Sequence, residues 1–519
     1  MAQTLATPGV YIEEKNAFPN SVAGIPTAIP AFIGYTEKAI REGESLINQP
    51  VRITSLAEYH SIFGAGVKTT FSIQQSQGSS FDFQVDGASY KLVQDSESRF
   101  LFYDSLRLFF ANGGGTCYIV SVGTYYKSDS SQSDDDYYGS SSSSGPKLNS
   151  VSKKALEDGL IALISEEEPT MVVIPEAVEL EEGDCFALQQ AMISHCGYKM
   201  KNRFAILDVF KGTAARTYDR NDVITRFREG VGSNFLAYGS AYYPFLNTSI
   251  VQNEEVSYKN ISNLDVLESL LTKEVDRSTD DKKKSDEIKT EIKKISNPDA
   301  DVEGVNQTLK VVSPVFKSIL TKVRNLLNVL PPSPAMAGIY TAIDNSRGVW
   351  KAPANTSIAS VISPVVKLTH DDQEDLNLTV TGKSVNAIRS FIGQGTIVWG
   401  ARTLDGNSQD WRYINVRRTL IFIEQSIKYA AKAYVYEPNT SNTWVLVKSM
   451  ISSFLNDLWK LGGLVGASPE QAYQVEIGLG ATMTPNDILD GVMRISVKVA
   501  ISRPAEFIVI TFQQKMQES

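Results

Sequence analysis

The sequence predicts an α/β protein, mixed α+β in detail, with extended arms at both chain ends. Three observations carry that prediction. Between Val151 and Tyr243 short apolar runs alternate with helical stretches, the texture of a mostly parallel sheet flanked by helices. Between Asn415 and Leu461 two strong 3.6-residue patterns predict long helices. At both ends, Val10–Glu13 and Phe507–Phe512 read as strands with little sequence around them to pair with.

Composition narrows the classes. The chain has 519 residues, 42% hydrophobic and 21% charged, with 35 Gly and 20 Pro, enough apolar material for two to four domains with real cores. A net charge of −9 argues against a protein that coats nucleic acid. Three cysteines, Cys117, Cys185 and Cys196, form no disulfide framework and match no zinc spacing, so no metal is expected. The opening MAQTLATPGVYIEE lacks a basic and then apolar leader, and no apolar run is long enough to span a bilayer. These features lead us to expect a soluble protein folded in a reducing cytoplasm.

In chain order, Pro8, Pro19 and Pro26 keep the first 25 or so residues extended. Val10 and Ile12 share one face of a strand; Tyr11 and Glu13 share the other. Ala28–Gly34 reads as a buried strand. Arg99–Asn112 reads as a helix stopped by Gly113-Gly114-Gly115, followed by a strand over Cys117–Val122. Lys127–Lys147, rich in Ser with Asp134-Asp135-Asp136, reads as a solvated loop. Met171–Pro175, Phe204–Asp208 and Phe235–Tyr238 are expected strands, with a helix over Phe186–Cys196. Asn247 to about Leu330 turns polar, and its charge-dense Thr279–Lys294 predicts an exposed helical insertion without a core of its own. Helices are expected over Asn415–Tyr434 and Trp444–Leu461. Strands are expected over Tyr473–Ile477 and Met493–Ile501, where Tyr473, Val475 and Ile477 alternate with polar residues, as do Met493, Ile495, Val497 and Val499.

Catalytic chemistry finds no foothold. The three histidines, His60, His195 and His370, stand in separate segments, and no nucleophile-elbow motif is present. Thr381-Gly382-Lys383-Ser384 resembles the end of a phosphate loop, but Asn377 stands where its first glycine belongs. Gly478-Leu479-Gly480 runs into Met483 where a dinucleotide fingerprint needs a small residue. Neither a catalytic residue nor a cofactor is expected.

The terminal strands are the unusual feature. A strand at a chain end exposes unpaired N–H and C=O groups, which native proteins cover. Donation of each arm to a sheet in another subunit satisfies them, and a head-to-tail donation of that type builds rings or helical filaments. The arms folding back onto their own domain is the plainer alternative.

Pro8-Gly9-Val10-Tyr11-Ile12-Glu13-Glu14 resembles the opening of contractile-tail sheath proteins of phages and related injection systems. Ala31–Gly34, Pro50–Ser55, Phe109–Gly114 with Cys117–Val120, Pro332–Asn355 and Trp411–Phe512 are similar to successive stretches of that family, about half of the chain in all. The resemblance implies an inner sheath core of helices and a small β-sheet, an inserted α/β outer domain and extended terminal arms. Its segments would be a 1–25 arm, a 26–120 first core part, a 121–335 inserted outer domain, a 336–505 C-terminal core and a 506–519 arm. It implies a structural, non-enzymatic subunit that polymerises with six-fold helical symmetry around an inner tube and contracts to drive that tube through a cell envelope. A static, non-contractile tube built by the same strand exchange is the alternative.

Carried onto this sequence, the resemblance makes Val10, Tyr11, Ile12, Glu13, Phe507, Ile508, Val509, Ile510, Thr511 and Phe512 the inter-subunit strand donors. It makes Tyr473, Val475, Ile477, Met493, Ile495, Val497 and Val499 the acceptors. Lys448 and Lys460 are candidates to face an acidic tube. The implied partners are further copies of the chain, an inner tube protein, baseplate and terminal cap proteins, and paralogous sheath proteins. Neither nucleic acid nor membrane insertion is implied. Assembly is expected in the bacterial cytoplasm, into a phage tail or tail-like particle.

Overall fold

In the computed structural model the described residues are 22–77, 81–95, 99–127, 148–278, 281–377, 381–507 and 509. The chain forms two compact units, one of residues 26–417 and one of residues 1–25 with 418–519.

The larger unit is built on a nine-stranded sheet. Its strands are β1 (Pro30–Thr36), β2 (Pro50–Ile53), β3 (Cys117–Thr124), β4 (Met171–Val173), β5 (Phe204–Asp208), β6 (Gly239–Tyr243), β7 (Thr356–Ser357), β8 (Asn386–Phe391) and β9 (Gly395–Val398). Their spatial order is β7-β9-β8-β6-β5-β4-β1-β3-β2. From β3 to β8 every neighbouring pair is parallel, with Phe32 beside Ile119 on one flank and Val173 on the other. The antiparallel strands β2 and β9 flank this parallel set.

Strand alternation sorts the apolar residues into two cores. Ala31, Ile33, Val172, Ala205 and Leu207 pack on one face with Leu156, Leu160, Leu188 and Met192 from helices Lys153–Ala162 and Glu182–Ser194. Phe32, Ile119, Met171, Val173, Phe204 and Ile206 pack on the other with α1 (Phe102–Ala111) and α2 (Ser333–Arg347). Burial on both faces explains why these strands read as continuous apolar runs. Small residues let α1 and α2 touch: a Cβ on Gly338 would lie 2.6 Å from the Phe109 carbonyl oxygen.

Two buried carboxyls tie strand ends to helix starts. Glu176, just past β4, accepts the N–H groups of Tyr35 (2.9 Å) and Phe102 (3.3 Å), joining β1 to the start of α1. Burial pushes it up to about 8. Asp208, at the end of β5, accepts the Ser333 N–H at 2.7 Å and the Ser333 hydroxyl at the start of α2, and burial pushes it up to about 7.

Three expectations are corrected. The polar stretch after Asn247 does have its own core: Leu267, Leu271, Val275, Leu309, Phe316, Ile319 and Val323 pack with Phe71, Ile73, Phe83 and Leu92 from a small three-stranded sheet. Helical spacing gathers those apolar residues on inner faces, while the charges of the helix Lys282–Lys293 lie mostly in solvent. The run Phe235–Tyr238 is not a strand; Leu236–Tyr238 forms a 3-10 turn and the strand is Gly239–Tyr243. The boundaries at 121 and 335 do not follow the sheet, because β1–β3, β4–β6 and β7–β9 come from all three of the segments they separate and are hydrogen-bonded into one layer.

The smaller unit contains most of α3 (Ile414–Ala431), then α4 (Ser441–Lys460), and a two-stranded sheet of β10 (Tyr473–Glu476) and β11 (Ser496–Val499). The Phe422 and Phe454 rings, 5.8 Å apart, pack α3 on α4. Gly24 and Ile25 lie against α3: a Cβ on Gly24 would lie 3.1 Å from the Phe422 ring, and the Ile25 N–H donates to the Ser426 hydroxyl at 3.3 Å.

Candidate functional site

β10 and β11 pair antiparallel, Tyr473 with Val499, Gln474 with Lys498, Val475 with Val497 and Glu476 with Ser496. Period-two alternation puts Tyr473, Val475, Val497 and Val499 on one face, where Val475 is buried. Gln474, Glu476, Ser496 and Lys498 make the other, polar face. Among the described residues no further strand joins this sheet, so both of its outer edges are open to backbone pairing.

The connection between the strands is braced. Thr484 and Asp487 form a reciprocal capping box at the start of the short helix Pro485–Leu489. Asp487 also holds Arg494, with Nε and Nη2 both 3.0 Å from Oδ1. The hydrogen bonds from Thr484, with the Arg494 guanidinium, hold this carboxyl down at about 2. The Thr482 hydroxyl donates to the Arg494 carbonyl at 2.7 Å. Asn439, which accepts from Trp444 Nε1 at 2.7 Å, donates to the Val492 carbonyl at 3.2 Å and fastens the connection to the α3–α4 turn. These bracing residues were absent from our expectations, although T-P-N-D is a readable capping signature.

The expected site residues fall as follows. Tyr473 and Val475 lie in β10, Val497 and Val499 in β11. Ile477 lies just past β10, and Met493 and Ile495 precede β11, so the acceptor strands are shorter than expected. The braced connection takes up those residues. Val10, Tyr11, Ile12, Glu13, Ile508, Ile510, Thr511 and Phe512 lie outside the described residues. Phe507 and Val509 belong to no strand and are 67% and 89% exposed. Lys448 and Lys460 are both exposed on α4, about 18 Å apart along its axis at 1.5 Å per residue and about a third of a turn apart in azimuth. Asp457 lies 3.8 Å from Lys460.

The residues weighed for chemistry are engaged elsewhere. His60 Nε2 lies 2.9 Å from the Tyr103 hydroxyl. Burial, helped by Arg203 3.1 Å away, holds His195 down at about 4 and therefore neutral. Lys383 donates to the Arg228 carbonyl and Ser384 to the Asn377 carbonyl. Among the described residues no three His, Cys, Asp or Glu side chains gather as a metal site, and no helix is long and apolar enough to cross a membrane.

Residues 407–515, which carry the open sheet, match the family described as phage tail sheath C-terminal domain. Over the whole chain, the fold matches the sheath of an extracellular contractile injection system (PVC, contracted state) at 26% identity and a TM-score of 0.58, covering 99% of both chains. The chain is similar in sequence and in fold to contractile sheath proteins. The helical sheath of the anti-feeding prophage in its contracted state matches at 25% identity and TM-score 0.58, over 99% of this chain and 100% of that one. Among curated proteins, the tail sheath protein of Vibrio phage KVP40 is 24% identical over 210 residues, 40% of this chain and 30% of that one. A putative prophage major tail sheath protein of Pseudomonas aeruginosa (strain UCBPP-PA14) is 26% identical over 145 residues, 27% of this chain and 36% of that one. The chain thus spans about a third of the length of these two curated relatives.

Proposed function

We propose that this chain is the structural subunit of a contractile sheath in a phage tail or phage tail-like particle, polymerising helically around an inner tube. The observation that carries the proposal is the open-edged β10–β11 sheet inside the segment that matches the sheath C-terminal family. The N-terminal strand Val10–Glu13 of one copy and the C-terminal strand Phe507–Phe512 of another add to its edges, with Tyr473, Val475, Val497 and Val499 as acceptors. Each inter-subunit backbone hydrogen bond contributes about 0.5–1.5 kcal/mol net, so four to six of them give a junction worth several kcal/mol. Such a heterologous contact propagates into a helical assembly.

In this reading the extended sheath is held by kinetics, and contraction moves subunits as rigid bodies while the strand junctions stay paired. New contacts between the larger units release the free energy that drives the tube, and no nucleotide is consumed. The role is structural rather than enzymatic. Related sheath structures come from helical sheath and baseplate assemblies, which supports self-association and a baseplate partner. The inner tube, meeting Lys448 and Lys460, the terminal cap and assembly in the bacterial cytoplasm complete the proposal.

The test is electron microscopy of the purified chain, alone and with its tube and baseplate partners. Long narrow tubes around an inner tube and short wide ones when empty are expected. Tubes of one invariant width would make the assembly static, and monomers under every condition would refute sheath function.

A further inference from the structure

The open sheet has two edges, and its polar face distinguishes them. Gln474 and Lys498 stand opposite each other, with Lys498 Nζ 3.4 Å from Gln474 Oε1. Gln474 Nε2 in turn donates to Glu476 Oε1 at 2.7 Å. The β11 edge therefore carries a cation whose neighbour in the ladder is neutral, and the β10 edge carries a carboxylate. Arg494, the nearest other cation along the chain, is held by Asp487.

The two donor strands differ in the same property. Phe507–Phe512 contains no residue charged at neutral pH, whereas Val10–Glu13 contains one, Glu13. When Val10 and Ile12 continue the apolar face of Val475 and Val497, period-two alternation places Tyr11 and Glu13 on the polar face. On the β11 edge Glu13 then meets Lys498, directly or diagonally. With Glu13 opposite Lys498, its same-face neighbours Tyr11 and Lys15 fall opposite Ser496 and Ala500, neither of them charged. On the β10 edge Glu13 meets Glu476 instead. Opposite charges facing each other across strands stabilise the pairing and like charges oppose it.

We propose that Lys498 is a specificity residue that directs the N-terminal strand Val10–Glu13 of a second copy onto the β11 edge, leaving the β10 edge to the uncharged strand Phe507–Phe512. This rests on the strand-exchange reading above. The selection is one of register and partner: an arm placed on the wrong edge meets a like charge, so mispaired junctions are disfavoured during assembly.

The test measures the critical concentration for assembly of the full chain by sedimentation. Lys498→Glu and Glu13→Lys are each expected to raise it by about threefold to tenfold. The double reversal is expected to bring it back within about twofold of the starting protein. An equimolar mixture of the two single variants is also expected to assemble, because the arm of each variant then finds a complementary edge on the other. Thermal unfolding of each variant as a monomer should match the parent, Lys498 being exposed. A parallel deletion of residues 1–14 separates the two levels of the argument. If the deletion leaves assembly intact, the strand-exchange reading fails. If the deletion stops assembly but the single reversals change nothing, or neither the double reversal nor the mixture restores it, the Lys498 assignment is overturned and strand exchange stands.

Discussion

Val475 of β10 stands directly opposite Val497 of β11, and among the described residues the sheet built around that pair has just these two strands. Val475 is 5% exposed and sits on the face that any added strand must continue. Val475→Asp buries an unpaired carboxylate there and costs about 1–3 kcal/mol or more. Solubility and far-UV circular dichroism should stay near normal, because the nine-stranded sheet belongs to the other unit, while assembly is lost. Normal tubes from this variant would show that the face plays no part in the junction.

Deleting residues 1–14 should give a folded, monodisperse monomer that does not polymerise. The deletion lies upstream of Gly24 and Ile25, which lie against Phe422 and Ser426 of α3, so those contacts are kept. Gel filtration and negative-stain microscopy read the outcome. An insoluble or unfolded product would mean that the segment serves its own domain instead.

Stability should fall as pH rises from about 4.5 towards 8. Glu176 is raised to about 8 in the folded chain from 4.5. The native state therefore holds a proton that the unfolded state has released, and stability present below the unfolded value is lost as pH rises through the folded one. Asp208, raised to about 7, adds to the same trend. Glu176→Gln should make denaturant midpoints at pH 5 and pH 8 more nearly equal. An unchanged pH slope in that variant would remove Glu176 from the account.

Gly338→Ala should destabilise the larger unit by about 1–3 kcal/mol through overpacking, since the new Cβ meets the Phe109 carbonyl oxygen and Asn112 Cβ at 2.6 and 2.9 Å. The same change at Gly183, which has open space around it, should cost nothing by crowding. Equal effects at the two positions would contradict the close approach of α1 and α2.

Phe316→Ala should cost about 3–5 kcal/mol and act locally. Hydrogen exchange should accelerate in 251–327 and 71–94 while β1, β4 and β5 stay protected. Uniform acceleration would mean that this core and the large sheet unfold together.

How much of this was legible follows from what each pattern reports. Ala31–Gly34 and Phe204–Asp208 are buried on both faces, so apolar runs alone revealed them. In α4 the 3.6-residue period survived because one side of the helix is buried. The period placed α4 within a few residues of Ser441–Lys460. The core around Phe316 was hidden because Lys282–Lys293 presents mostly charge, and its apolar partners Phe71 and Leu92 lie some two hundred residues earlier. Phe235–Tyr238 is apolar enough for a strand, yet Phe235 adopts φ 56° and begins a 3-10 turn, a tertiary outcome no local pattern encodes. At the site, alternation gave the correct faces of β10 and β11 but overran their ends, because Ile477, Met493 and Ile495 keep the period while the braced connection takes them out of the ladder. Sheet order was not legible because it is a long-range property: β1 pairs with strands from about ninety and about one hundred and forty residues downstream.

The most direct test of strand exchange is a cryo-electron microscopy map of the assembled particle, detailed enough to trace the backbone around β10 and β11. Four strands are predicted, the outer two entering from other copies, with Val10–Glu13 beside β11 and Phe507–Phe512 beside β10. A sheet that remains two-stranded in the assembled state would contradict the account.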